Sequence, residues 1–181
     1  MRTTTIAALA TTALLALPAA ASAQTITMDD PKGDQVRTGF GGDVDRVEVE
    51  HLKTRVVVSV VPEKDDAADY WVVHVDTDAR NPGPEYVLGA SVEVEPRLTV
   101  SKVDTWHDPD ATRTCSLRSF RYTDTGVARF SVPRRCLRPA GDQGPKHVRI
   151  NVEARNDYPD RKPVDVVPAH HAFGKRWVAV G

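Results

Sequence analysis

Apolar and polar residues alternate with a period of two along most of the chain, which is the pattern of half-buried β-strands. In the first such segment Val47, Val49 and His51 share one face, and glutamates occupy the other. Residues 56–61 are apolar on both faces, which predicts a central strand that ends at Pro62. No window has a sustained helical period, so the pattern predicts an all-β protein.

Similar segments follow, separated by turns rich in Asp, Asn, Pro and Gly. The predicted strands are residues 70–76, 85–95, 98–103, 112–122, 127–132, 147–154 and 176–180. We expect Gly89 to form a bulge or a break in its strand. Residues 63–69 are predicted to be an acidic loop with up to one helical turn, and residues 156–168 an Asp/Pro-rich connector. About nine to ten short strands predict an antiparallel two-sheet β-sandwich, jelly-roll or Ig-like, because a closed barrel usually needs longer strands of even length.

The N-terminal segment has the three parts of an export signal. Arg2 supplies a positive charge, residues 6–17 are apolar, and Ala21-Ser22-Ala23 places small residues at the positions that a signal peptidase reads. A membrane anchor is the alternative, but the clean cleavage site favours export. The sequence therefore predicts a cleavable signal peptide over residues 1–23 and a secreted, extracellular single domain over residues 24–181.

The charge balance bears on the partners of the exported domain. The chain has 24 Lys+Arg and 25 Asp+Glu residues and no basic stripe. This composition argues against nucleic acid, or an anionic membrane after signal cleavage, as the main partner. We expect cell-wall polysaccharide or another extracellular protein instead, while the oligomeric state stays open.

The two cysteines, Cys115 and Cys136, both lie in the exported part, where an even number predicts a disulfide. Residues 123–126 have a turn sequence and predict a hairpin between the flanking segments. In that hairpin Cys115 would lie opposite residues 134–136, so the register also pairs the two cysteines.

Two acidic segments combine oxygen ligands with turn-forming residues, as a Ca2+ site requires. The first runs from Asp29 to Asp34, with Asp43 and Asp45 downstream, and the second is residues 76–85. The candidate metal ligands are Asp30, Asp34, Asp76, Asp78, Asn81 and Glu85. The second segment does not follow the EF-hand pattern, and ordinary turns are the alternative for both. One shared site requires the two loops to meet; at opposite ends of the fold, both would be ordinary turns.

These segments also carry a family resemblance. Asp30-Pro31-Lys32-Gly33-Asp34, the strand start from Asp43 to Val49 and the strand end Val75-Asp76-Thr77-Asp78 resemble secreted β-sandwich modules. The nearest in kind are DOMON-like and glucodextranase C-terminal-type domains, together with secreted actinobacterial proteins. The resemblance covers the first half of the mature chain, and it implies a sandwich fold with a binding rather than a catalytic role.

The sequence contains no recognisable catalytic motif. Gly-x-Ser-x-Gly and His-Glu-x-x-His are both missing. The six histidines are scattered, and the adjacent pair His170-His171 would point apart on an extended chain, so a zinc site with three gathered histidines is not predicted. Of the tryptophans, Trp71 and Trp177 are predicted to be core. Trp106, in a loop, is the candidate for ligand binding by stacking on a sugar, with a partly buried loop anchor as the alternative.

The leading hypothesis is therefore a secreted, non-catalytic binding or structural module stabilised by Ca2+. An extracellular carbohydrate- or cell-wall-binding module is the first alternative, and a secreted hydrolase is the second. The hydrolase hypothesis requires a cleft that gathers at least two histidines with a carboxylate. A protease inhibitor is a further alternative, although one disulfide gives little support for a rigid reactive loop.

Overall fold

The fold is known from a computed structural model. It describes residues 24–35, 42–63, 68–91, 98–108, 110–138, 144–156 and 163–181. The predicted signal peptide and residues 64–67 of the predicted acidic loop lie outside the described residues.

The described part of the chain forms twelve β-strands and one short 3-10 turn, Arg134–Cys136. The strands are β1 (Gln24–Asp29), β2 (Val44–His51), β3 (Arg55–Pro62), β4 (Tyr70–Asp76), β5 (Tyr86–Ser91), β6 (Leu98–Lys102), β7 (Thr112–Leu117), β8 (Phe120–Tyr122), β9 (Ala128–Pro133), β10 (His147–Arg155), β11 (Pro163–Val167) and β12 (Val178–Ala179). They form two antiparallel sheets, which confirms the predicted sandwich.

The first sheet has five strands in the order β1-β2-β3-β9-β8. The second has seven, in the order β11-β10-β4-β5-β6-β7, with β12 paired to β10. The valine-rich β3 is a central strand of the first sheet, as its two apolar faces predict. The core lies between the sheets and is built mainly from valines around Trp71, Phe130 and Leu88. Val, Phe and Trp pack well on a pleated surface, so the composition of the strands also supplies the core.

The disulfide Cys115–Cys136 is present, with 5.7 Å between the Cα atoms, but the register argument for it was wrong. Phe120 pairs with Phe130 across the predicted turn, so the hairpin is β8–β9 only. The preceding strand β7 belongs to the other sheet and pairs with β6. The chain changes sheets at residues 118–119, and the disulfide therefore links the seven-stranded sheet to the 3-10 turn after β9.

Two further predictions are corrected, and one strand was missed. Gly89 is neither a bulge nor a break, since it pairs in register with Val72 and Thr99. A Cβ atom there would lie 2.2 Å from the Tyr70 hydroxyl, so the glycine makes room for that side chain. Part of the predicted connector forms β11, and the edge strand β1 was not predicted at all.

Candidate functional site

Four aspartates from both sheets form a carboxylate cluster: Asp30, Asp34, Asp43 and Asp165. One carboxylate oxygen from each of Asp30, Asp34 and Asp165 lies within 4.8 Å of the other two. Ca2+ binds oxygen at 2.3–2.6 Å, so ligand oxygens on opposite sides of one ion are about 5 Å apart at most. The three oxygens therefore fit around a single cation of that size.

Asp43 is the most buried of the three aspartates that adjoin the first sheet. Asp43 is 5 % exposed, and its Oδ2 accepts a hydrogen bond from the backbone N–H of Gly33 at 3.0 Å. Gly33 has a φ of +75°, a conformation that glycine adopts without strain, and it turns the chain between the first two aspartates. Oδ1 of Asp43 and Oδ2 of Asp30 are buried without a hydrogen-bond partner in the described residues. Buried polar atoms of this kind normally have a partner.

Asp165 connects the two sheets directly. It lies on β11 and is 3 % exposed, and its Oδ2 accepts a 2.8 Å hydrogen bond from the backbone N–H of Val44, the first residue of β2. Its Oδ1 accepts a hydrogen bond from the N–H of Val166. Burial raises the pKa of Asp165, as do the charges of Asp34 and Asp43, against the opposing effect of these two hydrogen bonds.

Electrostatics of the cluster are unfavourable without a cation. Burial raises the pKa of Asp30 from 3.8 to about 8, and the charges of Asp165, Asp34 and Asp43 and a side-chain hydrogen bond with Asp165 raise it further. Within the described residues, no lysine or arginine pairs with Asp43 or Asp165. Buried carboxylates are normally paired with a cation or bound to a metal.

The other two buried acidic residues in the described ranges, Asp76 and Glu153, do have such partners. Asp76 accepts hydrogen bonds from Nε of Arg149, at 2.9 Å, and from Nη2 of the same side chain. Glu153 likewise accepts hydrogen bonds from Nε and Nη2 of Arg155. Glu153 also lies 3.3 Å from Nε2 of His74. Burial raises the pKa of Glu153, but His74 and Arg155 outweigh this effect and hold the pKa at about 2.

The second acidic loop satisfies its own polar groups. Besides the bond from Arg149, Asp76 accepts one from the backbone N–H of Asp78, which in turn pairs with Arg80. Glu85 accepts bonds from Thr77 and from the Asn81 side chain. This is the turn geometry that we gave as the alternative to a Ca2+ site.

The two acidic loops do not meet. Asp165 is opposite Ala154, which is opposite Trp71 near the start of β4, whereas Asp76 is the last residue of that strand. Five strand residues separate these positions, which is about 17 Å. A site shared by the two loops is therefore ruled out, and the first loop instead meets Asp165, which is remote in sequence.

A second group of polar residues lies on the face of the seven-stranded sheet that points away from the core. His74 of β4 is paired with Asn151 of β10, and both are almost fully buried. The loop after β6 and the segment after β11 cover them with aromatic rings. Trp106 lies 4.9 Å from His74 between ring centroids, 5.1 Å from His171 and 4.7 Å from Phe173.

These contacts define the environments of Trp106 and Trp177. Trp106 is half-buried between three rings, as the loop-anchor alternative describes, and stacking on a sugar stays a prediction. Trp177 is not core, contrary to expectation, because it is half-buried on this outer face with the Arg149 guanidinium 4.3 Å from its ring. Trp71 is fully buried in the core, as predicted.

Three exposed histidines meet beside Trp106 and form what we call the imidazole cluster: His107, His170 and His171. One ring nitrogen from each lies within 4.8 Å of the others, and Nε2 of His107 is 3.3 Å from Nε2 of His171. Sequence reasoning missed this group and also missed Asp165. The extended-chain argument against the adjacent pair fails because His171 has a φ of 54° in a turn.

The chain matches no protein-family model, and comparisons with curated proteins and with solved structures also give no match. The resemblance to DOMON-like modules therefore stays a prediction. In the described part of the chain, no helix is long and apolar enough to cross a membrane.

Proposed function

We propose that this chain is a secreted, non-catalytic β-sandwich module in which a Ca2+ ion at the carboxylate cluster links the two sheets. The observation that supports this most strongly is the cluster itself, where buried carboxylates from both sheets converge and no basic side chain among the described residues pairs with the deepest two. A hard divalent cation bound by Asp30, Asp34 and Asp165 would reduce this repulsion, including that with the nearby Asp43.

The ion would act mainly on stability. Asp30 and Asp34 follow β1, Asp43 precedes β2, and Asp165 belongs to an edge strand of the opposite sheet. A cation bound by Asp30, Asp34 and Asp165 would hold this edge of the sandwich closed. Extracellular Ca2+ modules have dissociation constants of roughly 10⁻⁴–10⁻³ M, which suits a protein that works outside the cell.

Thermal unfolding with Ca2+ and with EDTA tests the proposal, with Asp34→Asn as the key variant. Asp34 is exposed, so its replacement removes a ligand without disturbing buried packing. With a Kd near 10⁻⁴ M, 1 mM Ca2+ adds about 1.4 kcal/mol to the wild type. For a chain of this size that is about 3–6 °C in midpoint. We expect Asp34→Asn to lose most of this rise.

Asp78→Asn is the matched control, because it removes a carboxylate from the other acidic loop. Its Ca2+-dependent rise should equal that of the wild type. Identical wild-type midpoints in Ca2+ and EDTA would reject the proposal, and a rise lost in Asp78→Asn but kept in Asp34→Asn would move the site to the second loop.

A further inference from the structure

The imidazole cluster has the dimensions of a transition-metal site. In a tetrahedral site with Zn–N bonds of 2.0–2.1 Å, two ligand nitrogens are roughly 3.3–3.4 Å apart. The separation of 3.3 Å between Nε2 of His107 and Nε2 of His171 matches that edge. The nitrogen of His170 is within 4.8 Å of both, so a small side-chain rotation completes a triangle of ligands.

The fold brings the adjacent histidines to the same side by a tight turn. The backbone N–H of Ala172 donates to the carbonyl of Ala169 at 3.1 Å, and the two histidines occupy the centre of this turn. The positive φ of His171 is uncommon for a residue with a side chain. As a result the His170 and His171 rings lie 3.9 Å apart between centroids, instead of on opposite faces.

A buried amide holds this turn in place. The side-chain Nδ2 of Asn151 donates to the carbonyls of both Ala169 and Ala172, at 2.9 and 2.8 Å. Asn151 is on β10 and fully buried, so the turn is anchored to the sheet rather than to the neighbouring loop. The positions of His170 and His171 in the turn therefore depend on the sheet beneath them.

The third histidine comes from the other covering loop, which is also ordered by local bonds. Asp108 accepts hydrogen bonds from the backbone N–H groups of Asp104 and Asp110, both at 2.8 Å. The indole of Trp106 stacks on the imidazole ring of His171 and so packs the two loops against each other. The three histidines therefore belong to two segments, and each segment is held by its own hydrogen bonds.

We propose that His107, His170 and His171 bind one divalent transition-metal ion, with the chemistry of Zn2+, Ni2+ or Cu2+. Three imidazoles without a carboxylate favour these ions over Ca2+ or Mg2+. All three ligands are exposed, so the remaining coordination position faces solvent.

The test is isothermal titration with Zn2+ of protein made without a polyhistidine tag. We expect one ion per chain for the wild type and at least a tenfold loss of affinity in His107→Ala and in His171→Ala. His147→Ala is the matched control, because His147 is an exposed histidine at the start of β10 outside the cluster, and its affinity should be unchanged.

A second measurement reports the position of the ion. Bound Cu2+ quenches nearby tryptophan fluorescence, so one equivalent should quench the wild type, and Trp106→Phe should lose most of that quenching. Unchanged Zn2+ affinity in His107→Ala, or no binding by a wild type that unfolds cooperatively, would overturn the proposal. Equal losses in His147→Ala and His107→Ala would also reject it, since they indicate general histidine binding.

Discussion

Replacement of Asp30 by asparagine should change how the stability of the metal-free protein depends on pH. Burial and three neighbouring carboxylates raise the pKa of Asp30 from 3.8 to about 8 in the folded state. The folded protein therefore holds this proton more tightly than the unfolded chain. The resulting stabilisation is fully present below about pH 4 and is lost as the pH rises towards about 8.

The expected magnitude follows from the two pKa values. Between pH 5 and pH 8 the wild type in EDTA should lose about 4 kcal/mol of unfolding free energy at most, because solvent contact at this half-buried carboxyl screens part of the effect. A loss of this size is a large fraction of the stability of a typical domain. In Asp30→Asn the side chain is neutral throughout, so the loss should largely disappear.

The assay is urea unfolding at pH 5 and pH 8 in EDTA, followed by tryptophan fluorescence, since Trp71 is buried in the core. Asp78→Asn is the control: Arg80 lowers the pKa of Asp78 to about 2, so the stabilisation from this pair is lost only as the pH falls from about 4 to 2. Adding Ca2+ at pH 8 should restore stability to the wild type but not to Asp30→Asn. An equal loss between pH 5 and pH 8 in Asp30→Asn and the wild type would refute the reasoning.

Two further variants test the packing of the fold. Replacing Cys115 and Cys136 together by alanine opens a loop of 21 residues and should cost about 3 kcal/mol, or about 6–12 °C by calorimetry; an unchanged midpoint would mean that the crosslink does not constrain the unfolded chain. Gly89→Ala should cost about 1–3 kcal/mol because the new Cβ meets the Tyr70 hydroxyl, and chemical denaturation should show a smaller cost in a Tyr70→Phe background. Equal costs in both backgrounds would mean that the tyrosine is not the obstacle.

The disulfide shows how a correct prediction can rest on a wrong contact. The predicted export and an even number of cysteines were sufficient to pair Cys115 with Cys136, because the choice was between one bond and none. The hairpin register placed both on one ladder, but the chain leaves that sheet between β7 and β8. A switch between sheets leaves no mark in a period-two pattern, since both sheets bury every second residue against the same core.

Only part of the carboxylate cluster was predicted, because the rest of it depends on contacts between distant segments. Asp30 and Asp34 were identified because metal-binding loops often have closely spaced acidic residues. Asp165 lies more than a hundred residues away in a segment that looked like a connector, and only the pairing of β11 with β10 brings it to β2. The cation that pairs with Asp76 was also missed, because Arg149 lies on another strand, β10, 73 residues away.

The imidazole cluster shows most clearly what the sequence could not predict. Residues 169–175 have no strand pattern, so the turn that puts His170 and His171 on the same side depends on Asn151, which lies beneath it on β10. No local signal links that asparagine to the turn, and none links either to His107.

Local patterning was thus enough to predict most of the strands, the two-sheet class and the single disulfide, and it also predicts export. These properties depend on the alternation, composition and spacing of residues that are near one another in the chain. The order of the strands, the crossing between the sheets, the carboxylate cluster and the imidazole cluster were decided only by the tertiary structure. They depend on contacts between segments 60 to 130 residues apart, and those contacts form because burying both sheets against one core selects a single arrangement of the strands.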